Sequence, residues 1–297
     1  MKKFASLFLL TLFFAVNAQT TANRFFYEMT YKPKQDSTRL DKVMTVLDIT
    51  PEKSLFRDFT MIAQDSILKA KIEMMQKSGT FKDLSKEMRM PKFSYKVIKT
   101  YPAMEVQYIE GILNGMMPVQ LMYKEKPDFK WAISNEKAKV GEYNAQKATT
   151  DFGGRKWTAW FSTEIPFQDG PYKFNGLPGL IVKIEDANKN YSWELKGNKK
   201  VPNFEELTQM EKMSPAGAGK VTEVNRDKFE KTFSDYKKDP FASFRSQMTP
   251  QIMAQKMPGS DQTIGDMIKE QEKRTKDFYG ANNNPIEIAT PAVKGKK

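Results

Sequence analysis

Apolar and polar side chains alternate through most of residues 24–195, which is the period-two signature of half-buried strands. Phe25, Tyr27 and Met29 interleave with Phe26, Glu28 and Thr30, and Val43, Thr45, Leu47 and Ile49 line one side of the next segment. The same reading predicts strands over 54–59, 93–101, 104–111, 118–124, 129–134, 143–150, 155–163, 180–186 and 191–195. Turn chemistry separates them. Lys32–Ser37, Pro51–Lys53 and Pro102 break the chain, Gly111–Gly115 reads as a turn, and Asp151-Phe152-Gly153-Gly154 reads as a hairpin turn. Residues 135–141 read as a polar connection. Short, closely spaced strands of this kind predict an antiparallel meander rather than βαβ units.

The period changes in two places. Leu68, Ile72 and Met75 fall at helical spacing, predicting a helical insertion near 65–89 inside a β domain that covers 19–202. Beyond Pro202 the pattern predicts a helical C-terminal region over 203–280. It has a short helix at 205–213, a small-residue hinge at 214–219, and a helix capped by Asn225 that carries Phe229, Phe233 and Tyr236. Residues 281–297 form a tail, with a candidate edge strand at Ile286–Ile288. The expected fold is β-dominated α+β: a curved antiparallel, half-barrel-like sheet of about eight to ten strands, with helices packed on or beside it.

Composition removes whole classes of chemistry. The 297 residues include no Cys and no His, which excludes disulfides, Cys/His zinc sites and histidine-based nucleophile pairs. No cofactor and no metal site is assigned. Lys2 and Lys3, an apolar run from Phe4 to Val16 and the small-residue step Val16-Asn17-Ala18 predict a leader over 1–18 cleaved before Gln19. The expected location is therefore exported: periplasmic, outer-membrane associated or secreted, with no transmembrane segment after cleavage. Net charge is +12, of which the leader's two lysines supply 2, leaving +10; the excess is spread thinly and marks no specific nucleic-acid site.

The densest stretch surrounds Gly176-Leu177-Pro178-Gly179-Leu180-Ile181. Pro178 and Gly179 suit the two central positions of a type II turn, with Gly179 at positive φ. Upstream stand Gly154-Arg155-Lys156-Trp157-Thr158-Ala159-Trp160-Phe161, Ile165-Pro166 and Gly170-Pro171-Tyr172-Lys173-Phe174. Tyr143–Thr150 and Asn284-Pro285-Ile286-Glu287 flank the group. Together these segments resemble the GLPGLI family, secreted proteins of Bacteroidota. The resemblance implies a leader, a β-rich envelope protein and no established activity, and it suggests an outer-membrane protein as partner. Ala145 departs from the pattern of members that carry Cys there, so a thiol role does not transfer.

Trp157, Trp160, Phe161, Phe167, Tyr172 and Phe174 are the candidate ligand-binding residues; Phe152 belongs to the same aromatic cluster. They would wall a cleft for an apolar ligand or a peptide, or else they are core. The glycines lack the context of a phosphate cradle. Asp151, Glu164, Asp169, Glu185 and Asp186 are the acids from which a carboxylate-based hydrolase acting on extracellular polymer would be built. Ser162 and Lys173 lack a dyad signature. The methionine groups at 74–75, 88–90 and 116–117 are core filler or soft-metal donors. No catalytic residue is assigned. The expected function is a non-enzymatic binding protein for an apolar ligand, a peptide or an envelope partner. The alternatives are the hydrolase and a structural or assembly partner of an outer-membrane transport system.

Overall fold

The computed structural model describes residues 20–80, 89–114, 117–213, 221–245, 248–256 and 261–288. The expected leader, the hinge at 214–219, Gly115, Met88, Met116 and the tail from 289 lie outside them.

Among the described residues twelve strands form one sheet. They are β1 (Ala22–Tyr31), β2 (Asp41–Ile49), β3 (Lys53–Asp58), β4 (Lys96–Thr100), β5 (Glu105–Asn114), β6 (Met117–Glu125), β7 (Ala132–Val140), β8 (Tyr143–Phe152), β9 (Arg155–Ser162), β10 (Leu180–Asp186), β11 (Tyr191–Val201) and β12 (Val221–Glu223). Their order is β12-β6-β5-β4-β3-β2-β1-β11-β10-β9-β8-β7. Two meanders, β1–β6 and β7–β11, are thus sewn together by the β1–β11 pair. Neighbours are antiparallel except β12, which lies parallel to β6 and makes the sheet mixed rather than purely antiparallel.

Chain connectivity dictates the curvature. β6 and β7 are separated by ten inter-strand steps, about 48 Å if the sheet were flat. Residues 125 and 132 are only seven peptide steps apart, a reach of about 25 Å. The sheet must therefore curl until its two ends come together, giving the β-dominated α+β half-barrel that the alternation predicts. The linker at 126–131 then lies across the bottom of the curl, where Phe129 packs on Phe152 and Phe174 with centroids 5.0 and 5.6 Å away.

The inner face carries the main core: Phe25, Tyr27, Leu47, Phe56, Val97, Trp157, Phe161, Trp193 and their neighbours. The outer face holds a smaller cluster of Leu55, Ile98, Ile109 and Met122 under Phe204. Beside it Arg24 grips the buried Asp48 through Nε at 2.5 Å and Nη2 at 3.0 Å.

Among the described residues six helices decorate the sheet: α1 (Thr60–Ser78), α2 (Gln209–Met213), α3 (Arg226–Lys238), α4 (Ala242–Arg245), α5 (Pro250–Met253) and α6 (Ile264–Ala281). α1 covers the first part of the insertion expected near 65–89, starting earlier than its apolar stripe, ending at Ser78 and burying only Leu68, while residues 81–88 lie outside the described ones. Asn225 caps α3 as its sequence suggests, accepting from Lys228 N at 2.8 Å. Thr263 and Asp266 cap α6 reciprocally. α3 lies on β5 and β6, and α6 packs against α3.

Candidate functional site

The segment that leads into Gly176–Ile181 does not lie on the sheet's surface. Residues 163–179, between β9 and β10, run through the inside of the curl. Their reach fixes this placement, because Tyr172 contacts Trp193 of β11, Tyr108 of β5 and Tyr95 beside β4. Phe174 contacts Trp157 of β9 at 4.8 Å. Only a segment on the concave side meets strands from both halves at once.

Buried ions hold this plug. Lys99 of β4 is fully buried; its Nζ lies 2.5 Å from Asp169 and donates to the carbonyls of Gly170, Tyr172 and Phe174 at 2.6, 3.0 and 3.3 Å. Burial lowers the Lys99 pKa, against the pull of Asp169. Asp169 also accepts from Tyr101 Oη and from the Gly170 N–H at 2.6 Å. One turn on, Lys173 is fully buried as well. It pairs with Glu125 at 2.5 Å and with Glu287, and donates to Tyr123 Oη at 2.8 Å. Its ammonium sits 5.1 Å from the ring centroids of Tyr108 and Tyr123 and 5.3 Å from that of Tyr172, a tyrosine box around a cation.

The turn chemistry differs from the sequence reading at one point. Gly179 is not among the positive-φ glycines; Gly176 is, at φ +89°. Gly179 is needed for proximity instead, as its Cα lies against the Ser162 backbone. The Gly153-Gly154 hairpin is as expected, with φ +59° and +75°, the two positive values of a type I′ turn.

A strap at the C-terminal end closes the mouth. Residues 284–288 run past the Gly153 turn without joining the sheet, so the expected edge strand at Ile286–Ile288 does not form. One backbone bond, Ile288 N to Gly153 O at 2.7 Å, ties the strap's end. Arg155 does most of the holding. Its guanidinium donates to Ile286 O at 2.8 Å, Pro285 O at 2.7 Å and Asn284 Oδ1 at 2.8 Å, and it pairs with Asp186 at 3.3 Å. Arg226 of α3 clamps Glu287 at 2.7 Å and Glu125 at 2.5 Å. Burial raises the Glu287 pKa, but Lys173, Tyr172 and Arg226 outweigh it and hold the carboxyl below the usual range.

Between the inner face, α3, α6 and this strap lies a cavity of about 860 Å³. Its floor is a row of stacked rings. Phe93 and Tyr95 are 4.2 Å apart, Tyr95 and Tyr108 5.4 Å, and Tyr108 and Tyr123 5.3 Å. Phe229 of α3 stands edge-on to Tyr108 and Tyr123, and Phe233 meets Tyr279 of α6 at 5.8 Å. Glu110 of β5 opens into this space, one residue beyond the Lys96–Ile109 pair and across from Tyr95. It is 5% exposed and accepts from Ser94 Oγ and, at 3.1 Å, from Tyr108 Oη. Burial pushes its pKa up to about 7, against those two bonds and Lys237.

Of the six aromatic candidates, Tyr172 lines the cavity. Trp157, Phe161 and Phe174 are sealed in the core. Phe167 packs edge-on to Phe25 at 5.7 Å. Trp160 is half-buried on the opposite face under Lys147. Phe152, from the wider cluster, reaches the cavity wall. Leu177, Leu180, Ile181 and Val182 are buried, and a bulge at Val182 interrupts the pairing of β10 with β9.

The acids of the hydrolase reading scatter. Asp151 and Glu164 are exposed, Asp169 serves Lys99, and Asp186 serves Arg155 and the Tyr191 N–H. Ser162 Oγ accepts from Glu164 N and Lys173 is committed to its carboxylates, so the two form no dyad. Met74 is exposed on α1. The cavity acid Glu110 was absent from the sequence candidates. Its signal was the alternation Val106, Tyr108, Glu110, which places a carboxyl on an apolar face.

A family profile described as "Protein of unknown function (Porph_ging)" matches residues 153–183, the β9 strand, the plug and the start of β10. No curated protein matches the chain. Among solved structures, "Structure of PNGF-II in P21 space group" is similar at 14% identity and TM-score 0.49, covering 73% of this chain and 34% of that one. "Structure of PNGF-II in C2 space group" gives the same identity and TM-score, covering 73% and 33%. The chain thus spans about a third of the length of these structures. Among the described residues no helix is long and apolar enough to cross a membrane. The chain is a β-dominated protein whose plug segment is similar to a family of unknown function.

Proposed function

We propose that this chain is an exported, GLPGLI-type binding protein that carries a ligand with an apolar body in the cavity between the inner sheet face, α3 and α6. The observation that carries the reading is the cavity itself. Its 860 Å³ falls within the roughly 300–1,000 Å³ of small-molecule sites. Aromatic rings make up much of its wall, Ser94, Tyr95, Tyr108 and Glu110 converge on its floor, and charged side chains such as Lys92, Arg226, Lys237 and Glu287 also line it. The Lys2–Ala18 pattern supports export, and the segments around 143–186 and 284–287 support the GLPGLI assignment. A hydrolase would need a second free carboxylate, and Glu287 is taken up by Lys173, Tyr172 and Arg226. Binding is therefore favoured over chemistry.

The test is native mass spectrometry of protein purified from its own envelope, beside a Ser234→Trp variant that fills the cavity from α3. A bound mass on the wild type that the variant lacks, with both melting alike, supports the reading. Wild-type protein that carries nothing, and that takes up no hydrophobic probe, overturns it.

A further inference from the structure

The tyrosine row on the cavity floor shows two carboxylate-and-ring sites side by side, and only one contains a cation. At the first, Lys173 stands over Tyr108, Tyr123 and Tyr172 with Glu125 and Glu287 as counter-ions. At the second, on the far side of Tyr108, Glu110 lies among Phe93, Tyr95 and Tyr108. Among the described residues no lysine or arginine reaches ion-pair distance of Glu110, whose partners are the hydroxyls of Ser94 and Tyr108. Lys237, the cation that acts on it from a distance, lies over the Phe233 ring at 5.1 Å. Lys92 and Arg226 also line the cavity, and Arg226 is spent on Glu125, Glu230 and Glu287. Beside Glu110, the Tyr95 hydroxyl is buried with no hydrogen-bond partner.

A buried carboxyl without a counter-ion is costly, and so is an orphaned hydroxyl. A carboxyl with no counter-ion beside an unpartnered hydroxyl, both opening into an aromatic-lined cavity, matches the chemistry of ammonium recognition. We propose that the second site is a ligand subsite for an organic cation, an amine or quaternary ammonium joined to an apolar body. The ammonium sits on Glu110 at the cavity-side rim of the stacked Tyr95 and Tyr108 rings, within reach of the Tyr95 hydroxyl. The apolar portion runs along Phe229, Phe233 and Tyr279 toward the mouth. A polar group next to the nitrogen meets Tyr95 Oη. This rests on the binding reading above and narrows it to one class of ligand. The protein's own Lys173 shows that this tyrosine row accepts an ammonium when a carboxylate stands beside it.

The test compares three probes that share one chain and differ only in the head: octyltrimethylammonium, 1-octanol and octanoate, titrated by calorimetry at pH 8 into the full mature chain. The expected order is the ammonium tightest, the alcohol about tenfold weaker and the carboxylate weakest. In Glu110→Gln the ammonium's advantage over the alcohol falls to within about threefold. Equal affinity for all three heads, or octanoate binding tighter than the ammonium, overturns the cation subsite and leaves the apolar cavity standing. Binding of none of the three defeats the cavity reading itself. The three-head comparison on wild-type protein decides the matter even if Glu110→Gln fails to fold.

Discussion

Gly179 lies against the backbone of Ser162: a β-carbon on Gly179 would overlap the Ser162 carbonyl oxygen and stand 2.6 Å from its carbon and 2.9 Å from Thr163 N. The obstacle is peptide, with no flexible side chain to swing away. Gly179 is also where the plug is handed to β10, whose Leu180, Ile181 and Val182 are all buried. Gly179→Ala is therefore expected to cost about 3 kcal/mol or more, and Gly179→Val to abolish folding. Gly176→Ala faces only Trp131 Nε1 at 3.9 Å and carries φ strain alone, costing about 1 kcal/mol. Urea denaturation of the two alanine variants checks the ranking, and equal losses would refute the steric account.

Much of this architecture was legible from alternation. Phe25, Tyr27 and Met29 do face the core, and the Gly153-Gly154 turn has the geometry its residues imply. The elements that alternation missed are those with no buried face. β7 continues through Asn135–Val140 with almost every residue exposed, so nothing in its polarity marks it as a strand. β12 is three exposed residues whose pairing with β6 comes entirely from tertiary context. The position of the plug was illegible for a different reason. A Pro- and aromatic-rich crossing looks the same in sequence whether it lies over a sheet or inside a curl. Lys99 and Lys173 read as surface lysines because burying an ammonium needs partners that are distant in the chain. For Lys99 the partner is seventy residues on, and for Lys173 one lies at Glu287.

The Lys99–Asp169 pair is asymmetric. Lys99 donates to three carbonyls in addition to its counter-ion, whereas Asp169 has Tyr101 Oη and one backbone N–H left if Lys99 is removed. Lys99→Met strands a buried anion and three carbonyls, and should cost about 3–5 kcal/mol. Asp169→Asn keeps an acceptor for the backbone N–H and leaves Lys99 its carbonyls, so its cost should be smaller by a factor of about two. Denaturant midpoints of the two variants measure this, and the reverse order would show that the carbonyl contacts carry little.

Glu110 makes stability depend on pH in the unusual direction. Its folded pKa of about 7 lies above the unfolded value of 4.5, so between those values the native state holds more protons than the unfolded chain. Its contribution is complete below pH 4.5 and is lost as pH rises through 7. Carboxyls held low, such as Glu211 and Glu287, work the other way, so the quantity to read is wild type minus Glu110→Gln. That difference should move by about 3 kcal/mol against the wild type between pH 4 and pH 8. A flat difference across this range would mean that Glu110 is ionised and solvated.

Arg155 reads the strap through backbone carbonyls of Pro285 and Ile286 and the Asn284 side chain, which calls for a planar fork of donors. Lysine keeps the charge beside Asp186 but reaches one acceptor at a time. In Arg155→Lys, hydrogen exchange at the Ile288 amide, bonded to Gly153 O, should quicken by on the order of tenfold. Amides of β10 should keep their protection. Faster exchange throughout the sheet would mean that the strap is part of the fold's cooperative unit, with no separate opening.

Trp157 and Trp160 stand three residues apart on β9, on opposite faces of one strand, and should respond very differently to truncation. Trp157 is 1% exposed, packs on Phe174 at 4.8 Å and Trp193 at 6.0 Å, and donates from Nε1 to Phe152 O at 2.9 Å. Its replacement by alanine opens a void beneath the plug and orphans a carbonyl, a loss of about 3–5 kcal/mol. Trp160 is half-buried, with Lys147 Nζ at 5.9 Å from its ring, so Trp160→Ala should cost about 1 kcal/mol. Because Trp160 lies outside the cavity, its loss should leave octyltrimethylammonium affinity unchanged. Calorimetry on a folded Trp160→Ala protein checks that second point, and weakened binding there would move the ligand to the outer face of the sheet.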